Sequence, residues 1–232
     1  MHGSRRRWGV VAVVCVTALG VPGVVVGAGQ KRASASSDFR LAPHQGNPQP
    51  DSTGRGAWVF MQSAVASVGT PKAYSPLRIF TSSAFGISRL EQWTGSYQSG
   101  TPDSLPAVGV NATRSDQRLS SFTWPKGTMR MHPGPNLAAV LAWRARKQGT
   151  SASVRGTVTK LDQTCGTGVF WALEDSDGKA KAAGTLPGTS KASHSFKATI
   201  SLPAGKALYF VVGPNGSFFC DSTMVSLIIV PS

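Results

Sequence analysis

The sequence predicts an all-β protein, a two-sheet antiparallel β-sandwich with a jelly-roll-like strand order. Three observations lead to this prediction. The chain has 26 glycines and 15 prolines but 15% charged residues, a composition typical of loop-rich chains with few strong helix formers. Short apolar stretches alternate with turn clusters, and later apolar residues recur at every second position. Strands with one apolar face bury it most simply when two antiparallel sheets pack together.

The strands predicted in the first half are short. Each is a brief apolar stretch bounded by turn residues. They cover residues 57–62, 77–81, 107–111, 121–124 and 129–131. As a series, they indicate a β-rich first half.

The second half has a clearer pattern. Residues 139–145 form an apolar stretch, residues 152–159 alternate apolar with polar, and Phe196, Ala198, Ile200 and Leu202 do the same. A strand with one polar face belongs to an antiparallel sheet. The continuous apolar runs 208–212 and 224–230 predict central, buried strands. Asp177-Gly178, which follows a strand at 169–173, predicts a tight hairpin.

The first 35 residues resemble an export signal. Arg5, Arg6 and Arg7 precede an apolar stretch over residues 8–28, and the small residues 33–35 form a cleavage site. A cut after Ala28 and an uncleaved membrane anchor remain alternatives, because the apolar stretch approaches a spanning length. We expect a signal peptide at 1–35, a flexible lead-in at 36–55, and one sandwich domain at 56–232. The protein would then be extracellular or on the cell surface.

The chain is basic, with a formal charge of +14. Five of these positive charges lie in residues 1–35, so the predicted mature chain keeps about +9. This balance favours anionic partners such as cell-envelope polymers. The charges are scattered along the sequence, so we expect most of them on a solvated face. Nucleic-acid binding is disfavoured, because it calls for a basic stripe with exposed aromatic residues.

Two cysteines remain after the predicted signal is removed, Cys165 and Cys220. In an oxidising compartment we expect them to form a disulfide. A bridge across this separation is worth about 4 kcal/mol by the chain-entropy estimate. The alternative is a pair of buried thiols.

Motifs of common catalytic sites are missing from the sequence. It contains no Gly-x-Ser-x-Gly elbow, zinc helix, phosphate loop or dinucleotide fingerprint. Glu91 and Glu174 could form a glycosidase pair, but nothing in the sequence brings them together. His132 with Asp162 or Asp221 leaves a small hydrolase as a remote alternative. We expect no enzymatic activity.

Three polar residues are interpreted as loop-stabilising groups. His132 precedes Pro133 at a strand end, where it can hydrogen-bond a loop backbone and hold a corner. Asp162 and Asp221 each flank a cysteine, so the bridge would bring their loops together. A structural calcium ion is conceivable there, but we favour each Asp capping its own turn and expect no metal or cofactor.

Aromatic residues supply the candidate ligand contacts, because a flat ring stacks on the apolar face of a sugar. Trp143 and Trp171 lie in strong strand patterns and are assigned to the core. Trp93, Tyr97 and Trp124 lie beside turn residues, so they are the candidates for an exposed binding surface.

From Trp58 to Val230 the chain resembles a diffuse group of exported bacterial β-sandwich modules that look like carbohydrate-binding jelly rolls. The resemblance rests on residues in the order Gly86-Ile87, Trp93, the runs 132–136, 139–145, 154–158 and 211–216, and Asp221-Ser222-Thr223. It implies binding of glycan or envelope material rather than catalysis. The chain departs from the group in carrying Cys165 and Cys220 in two loops and in lacking an attached catalytic domain.

The leading hypothesis is therefore a non-catalytic secreted or surface module. Its predicted ligand is polysaccharide, cell-envelope glycan or an anionic envelope polymer, without stable membrane insertion after signal cleavage. A structural or adhesive surface protein with a protein partner is the alternative. Buried tryptophans together with an apolar patch elsewhere would favour that alternative.

Overall fold

The described part of the chain consists of strands with one short α-helix. The computed structural model describes residues 31–41, 46–98, 104–146 and 149–232. The helix α1 spans Ala35–Leu41, and single 3-10 turns span Val65–Ser67, Pro71–Ala73 and Ala84–Gly86. The strands are β1 (Ala33–Ser34), β2 (Gln49–Pro50), β3 (Gly56–Ala64), β4 (Ser75–Pro76), β5 (Ile79–Thr81), β6 (Leu90–Gln98), β7 (Ser104–Asn111), β8 (Gln117–Arg118), β9 (Thr123–Trp124), β10 (Met129–His132), β11 (Leu137–Ala145), β12 (Thr150–Lys160), β13 (Gly168–Glu174), β14 (Ala180–Pro187), β15 (Ser193–Leu202), β16 (Ala207–Pro214) and β17 (Thr223–Pro231).

The strands form two large antiparallel sheets, so the predicted β-sandwich is confirmed. Sheet A has the order β15-β12-β17-β10-β7-β6-β5, with β1 also paired to β17. Sheet B has the order β14-β13-β16-β11-β3-β2, with β4 also paired to β3. The strands β8 and β9 form a separate pair. As predicted, the strands from the apolar runs 208–212 and 224–230 lie inside their sheets.

The main core lies between the two sheets. Sheet A contributes Val154 and Val158, and sheet B contributes Trp143 and Phe210, all fully buried. In β15 the predicted alternation is confirmed, because Ile200 and Leu202 are buried while their polar neighbours are exposed. The predicted hairpin joins β13 to β14, and Gly178 supplies a φ of +83° in its turn. Strand β17 departs from the prediction, because on its outer side Met224, Ile228 and Val230 are only half-buried and Ser226 is exposed.

Residues 33–41 are an integral part of the fold. Ala33 pairs with Ile229 of β17, at a point that β10 does not reach. Phe39 is fully buried and packs edge-on against Phe60, with ring centroids 5.0 Å apart. The Asp38 carboxylate accepts a 2.7 Å hydrogen bond from Trp58 Nε1. The segment predicted as a flexible lead-in therefore begins with a packed helix, and the predicted cleavage site at 33–35 lies partly in a buried strand.

The outer face of sheet A carries a second apolar cluster. Ala84, Leu90 and Trp124 are its buried members. Four partly buried side chains pack against them, namely Phe85, Ile87, Leu119 and Phe122. The segments 82–89 and 112–127 thus form a cover over one end of the sheet, and the candidate site lies at the edge of this cover.

Candidate functional site

A cavity of about 630 Å³ opens between the cover on sheet A and the loop that precedes β17. Its apolar walls come from Phe85, Ile87, Leu105, Leu119 and Phe122 on one side and from Phe218 and Phe219 on the other. The polar lining consists of Arg118, Ser120, Ser121, Arg130, His132, Asp162 and Ser222. The cavity therefore combines apolar walls with a few convergent polar groups, which is the usual composition of a binding site.

Arg130 forms part of the floor of the cavity and is almost completely buried. Strand β10 presents it on the outer face of sheet A, because its neighbours Met129 and Met131 point into the core. Its Nε donates to Ser222 Oγ at 3.0 Å, and its guanidinium carbon lies 5.2 Å from the centre of the Phe85 ring. Trp124 and Phe122 lie at similar distances. Cation–π contacts on a desolvated guanidinium hold this side chain in one orientation.

Asp162 is fixed by its own loop. Its Oδ1 accepts bonds from Thr164 N at 3.1 Å and Thr164 Oγ1 at 2.7 Å, and its Oδ2 accepts a short bond from Ser121 Oγ. The first two bonds form the turn cap that the sequence predicts. Asp162 and the Ser121 hydroxyl thus have defined orientations at the cavity wall.

His132 closes the end of β10. Its Nδ1 lies 2.7 Å from the carbonyl oxygen of Pro133, so Nδ1 carries the hydrogen and donates. A neutral ring then has Nε2 as its acceptor. The residue holds a strand corner, as the sequence suggests, and also lines the cavity.

An aromatic rim stands at the mouth of the cavity. Phe219 is 59% exposed and Tyr97 is 39% exposed. Phe218 joins them, with its ring centroid 5.8 Å from Tyr97 and 4.3 Å from Phe219. Phe218 and Phe219 line the cavity, and Tyr97 extends their apolar surface through its contact with Phe218. The three rings are here called the aromatic rim.

A disulfide and a buried ion pair anchor the loop that carries Phe218 and Phe219. Cys220 forms the predicted disulfide with Cys165, and the two Cα atoms lie 5.5 Å apart. Lys160 Nζ forms a buried 2.8 Å ion pair with Asp221 and donates a short bond to the Cys220 carbonyl. Burial raises the pKa of Asp221 to about 6, and the ammonium of Lys160 offsets part of that effect. Asp221 therefore holds the loop through a buried ion pair, not through the turn cap expected from sequence.

The tryptophans predicted to bind ligand are not on the surface. Trp93 is 8% exposed, and its side chain points into the core, where it stacks on Phe60 at 6.3 Å. Trp124 is fully buried and belongs to the apolar cluster of the cover. Neither ring can present a face to a ligand in this structure, so the prediction is wrong for these two residues. Tyr97 is exposed, as predicted.

Sequence reasoning missed Phe218 and Phe219. The available signal was a pair of adjacent aromatic residues placed between the Asn215-Gly216 turn and Cys220. Apolar side chains next to a turn glycine and a disulfide are held in a loop, which leaves at least one of them exposed.

Glu91 and Glu174 lie in different sheets. Glu91 is in β6 of sheet A and pairs with Val110. Glu174 ends β13 of sheet B, where the hydroxyl of Tyr74 donates to its Oε2 at 2.6 Å. Burial raises the pKa of both Tyr74 and Glu174. The glutamate of sheet B thus has a structural partner that fastens the segment preceding β4 to the sheet.

No cluster of three or more His, Cys, Asp or Glu side chains suited to a metal ion occurs within residues 31–41, 46–98, 104–146 and 149–232. Within the same residues, no helix is long and apolar enough to cross a membrane.

Comparisons with known proteins return low similarity. No family model matches the chain, and no curated protein matches it either. Among solved structures, the K3 adhesin domain of Lys-gingipain from Porphyromonas gingivalis is similar at a TM-score of 0.30 and 15% identity, over 44% of this chain and 73% of that one. The isomalto-dextranase of Arthrobacter globiformis, solved with panose, is similar at a TM-score of 0.30 and 14% sequence identity. The match covers 53% of this chain and 20% of the dextranase chain.

A carbohydrate-binding module of family 36, solved with calcium and xylotriose, matches at a TM-score of 0.25 and 11% identity, over 52% of this chain and 90% of that one. Likenesses at this level establish no shared function.

Proposed function

We propose that the protein is a non-catalytic secreted or surface-bound module that binds polysaccharide or cell-envelope glycan in the cavity on sheet A. The observation that carries this proposal is the aromatic rim of Tyr97, Phe218 and Phe219 at the mouth of a cavity with fixed polar groups. Flat rings stack on the apolar faces of sugars, and polar groups behind them can bond sugar hydroxyls. The cavity volume lies within the range of pockets for small organic ligands.

The hydrogen bonds in the cavity support binding rather than catalysis. Ser121 Oγ gives its hydrogen to Asp162, and Ser222 Oγ accepts from Arg130. In a Ser-His-Asp triad the hydrogen of the nucleophilic serine instead goes to a histidine. These serines are therefore suited to orienting Asp162 and Arg130, and we propose that ligand leaves the cavity unchanged.

We predict that Phe219→Ala and Tyr97→Ala each weaken binding to a glycan array hit, or to isolated envelope material, by about tenfold, equivalent to about 1.4 kcal/mol. Ile79→Ala is the matched control, because Ile79 is 45% exposed but lines a different cavity. Binding is measured by biolayer interferometry, with thermal unfolding to verify the fold. Equal binding by all three variants would contradict the proposal.

A protein partner is the second candidate, favoured by a specific observation. The five tryptophans of the described residues are all buried, while the exposed aromatic rings are concentrated in the rim. Binding of the protein to envelope material treated with periodate or with protease distinguishes glycan binding from protein binding. Retention lost after periodate treatment supports a glycan ligand, and retention lost after protease treatment supports a protein partner.

A further inference from the structure

Four positive side chains converge at the end of the sandwich where β11 ends and β16 begins. Arg144 and Arg146 lie at the end of β11, Lys206 immediately precedes β16, and Arg55 immediately precedes β3. Backbone bonds join these positions. Ala145 N donates to Lys206 O and Arg146 N donates to Arg55 O, both at 2.9 Å. These four residues are here called the basic end.

The side chains of the basic end are exposed and have no acidic partner among the described residues. All four are at the surface, and the Lys160–Asp221 and Lys181–Asp175 ion pairs lie elsewhere in the fold. Arg55 Nη1 donates a 3.4 Å hydrogen bond to the carbonyl oxygen of Pro231. Like charges held together without counter-charges raise the folded protein's electrostatic energy, so they are natural contacts for an anion.

Two adjacent clefts lie between these side chains. The larger, of about 1000 Å³, is lined by Arg55 and Arg146, and the smaller, of about 480 Å³, by Arg144, Lys206 and Lys72. Gly205 belongs to both. The smaller cleft also contains one acid, Asp177. Five cationic side chains and one acidic side chain thus line two clefts that share Gly205.

We propose that the basic end binds a polyanionic polysaccharide, a chain whose sugar units carry carboxylate, sulfate or phosphate groups. A polymer is required because one exposed ion pair contributes only about 0–1 kcal/mol, so useful affinity needs several contacts along one chain. Arginine is suited to this role because its planar guanidinium bonds carboxylate and phosphate groups in pairs. Nucleic acid fits less well, because the aromatic residue in these clefts, Tyr209, is half-buried and packs edge-on against Tyr74 at 5.2 Å.

This site is independent of the cavity on sheet A. Strand β12 runs from Thr150, which lines the larger cleft, to Lys160, which anchors the loop of the aromatic rim. In the pairing of β12 with β17, Pro231 lies near the Thr150 end of β12 and Thr223 lies opposite Lys160. The two sites therefore lie at opposite ends of the central strands, and the protein can hold two ligands at once.

The test uses two triple variants with the same change in net charge. The first is Arg144→Gln, Arg146→Gln and Lys206→Gln at the basic end. The control is Arg114→Gln, Lys191→Gln and Lys197→Gln, three exposed residues elsewhere. Binding to heparin and to polygalacturonate is measured at several salt concentrations, with dextran as the neutral polysaccharide. Duplex DNA and vesicles containing phosphatidylglycerol serve as polyanions of other classes.

We expect the basic-end variant to bind heparin or polygalacturonate at least about tenfold more weakly and with a shallower salt dependence, while the control changes by less than about threefold. The basic end should not bind dextran, which carries no charge. Equal losses in both triple variants would overturn the proposal, because net charge alone would then explain the binding. Tighter binding to DNA or vesicles than to both acidic polysaccharides would also overturn it.

Discussion

The ion pair of Lys160 and Asp221 shows how a single buried contact supports the proposed site. Both side chains are fully buried, and their charged atoms are 2.8 Å apart. Asp221 Oδ2 has no hydrogen-bond partner in the described structure, which is consistent with the raised pKa of this carboxyl. Desolvation of two charges often costs about as much as their attraction returns. The ion pair therefore fixes the position of the loop more than it raises the free energy of unfolding.

We predict that Asp221→Ala lowers the free energy of unfolding by about 1 to 3 kcal/mol, because Lys160 would lose a buried hydrogen-bond acceptor and keep only the Cys220 carbonyl. The double variant Lys160→Met with Asp221→Leu should recover most of this loss. Urea unfolding at neutral pH measures both. A single variant as stable as the original protein would show that Lys160 has another means of satisfying its charge.

Acidity gives a second test of the same pair. In the unfolded chain Asp221 titrates near 4, but in the folded protein near 6, so the folded form binds more protons between these values. The contribution of Asp221 to stability is therefore fully present below about pH 4 and is lost as the pH rises through about 6. Asp221→Asn should lack this dependence. Unfolding curves that run parallel for the two proteins from pH 4 to 7 would contradict the raised pKa.

The sequence pattern predicted burial correctly in strands that alternate regularly between apolar and polar residues. It failed in strands where the alternation is interrupted. The alternation around Ile200 and Leu202 identified the inner face of β15 correctly. Trp93 was misassigned because the Thr94-Gly95-Ser96 sequence looks like a turn, whereas β6 continues to Gln98 through an irregularity between Thr94 and Tyr97. Trp93 therefore stays in register with the core. The one extra residue in β6 then turns Tyr97 outward.

At the scale of elements, the cover on sheet A explains what local sequence could not show. Trp124 precedes a proline and two turn residues, which is a typical setting for an exposed ring. In the structure Trp124 is instead buried in the apolar cluster on the outer face of sheet A, together with Leu90 and Phe85. Such a cluster assembles residues from two separate segments, 84–90 and 119–124. Its existence depends on tertiary contacts that have no periodic signature.

The N-terminal strand β1 and helix α1 make a prediction about export processing. Ala33 and Ala35 are buried, and β1 pairs with the part of β17 that would otherwise be an open edge. We predict that a peptidase cut precedes Ala33 rather than following Ala35. A chain that begins at Ser36 should lose about 2 to 4 kcal/mol of stability relative to one that begins at Lys31.

N-terminal sequencing of protein recovered from the culture medium tests for the cut, and thermal unfolding compares the two chains. Equal melting temperatures would show that β1 adds little to the fold. A mature protein that starts at Ser36 would contradict the predicted position directly.

At the scale of the whole molecule, the sandwich separates two surfaces of different chemistry. The cavity with its aromatic rim lies where β12 ends and β17 begins, and the basic end lies where β12 begins and β17 ends. The charges appeared scattered in the sequence because Arg55, Arg144 and Lys206 are far apart along the chain. Strand pairing of β11 with β3 and β16 brings them together. Register, rather than sequence proximity, produces this cluster.

The disulfide provides a test of this separation. It joins cysteines 55 residues apart and holds the loop of Phe218 and Phe219. We predict that Cys165→Ala with Cys220→Ala lowers the free energy of unfolding by about 4 kcal/mol, because the unfolded chain regains loop entropy. Below its melting temperature the variant should bind glycan at least about tenfold more weakly through the loosened aromatic rim, yet bind acidic polysaccharide as before. Parallel losses of both activities would mean that the two ends are not independent, whereas intact glycan binding would mean that the rim does not need its sulfur anchor.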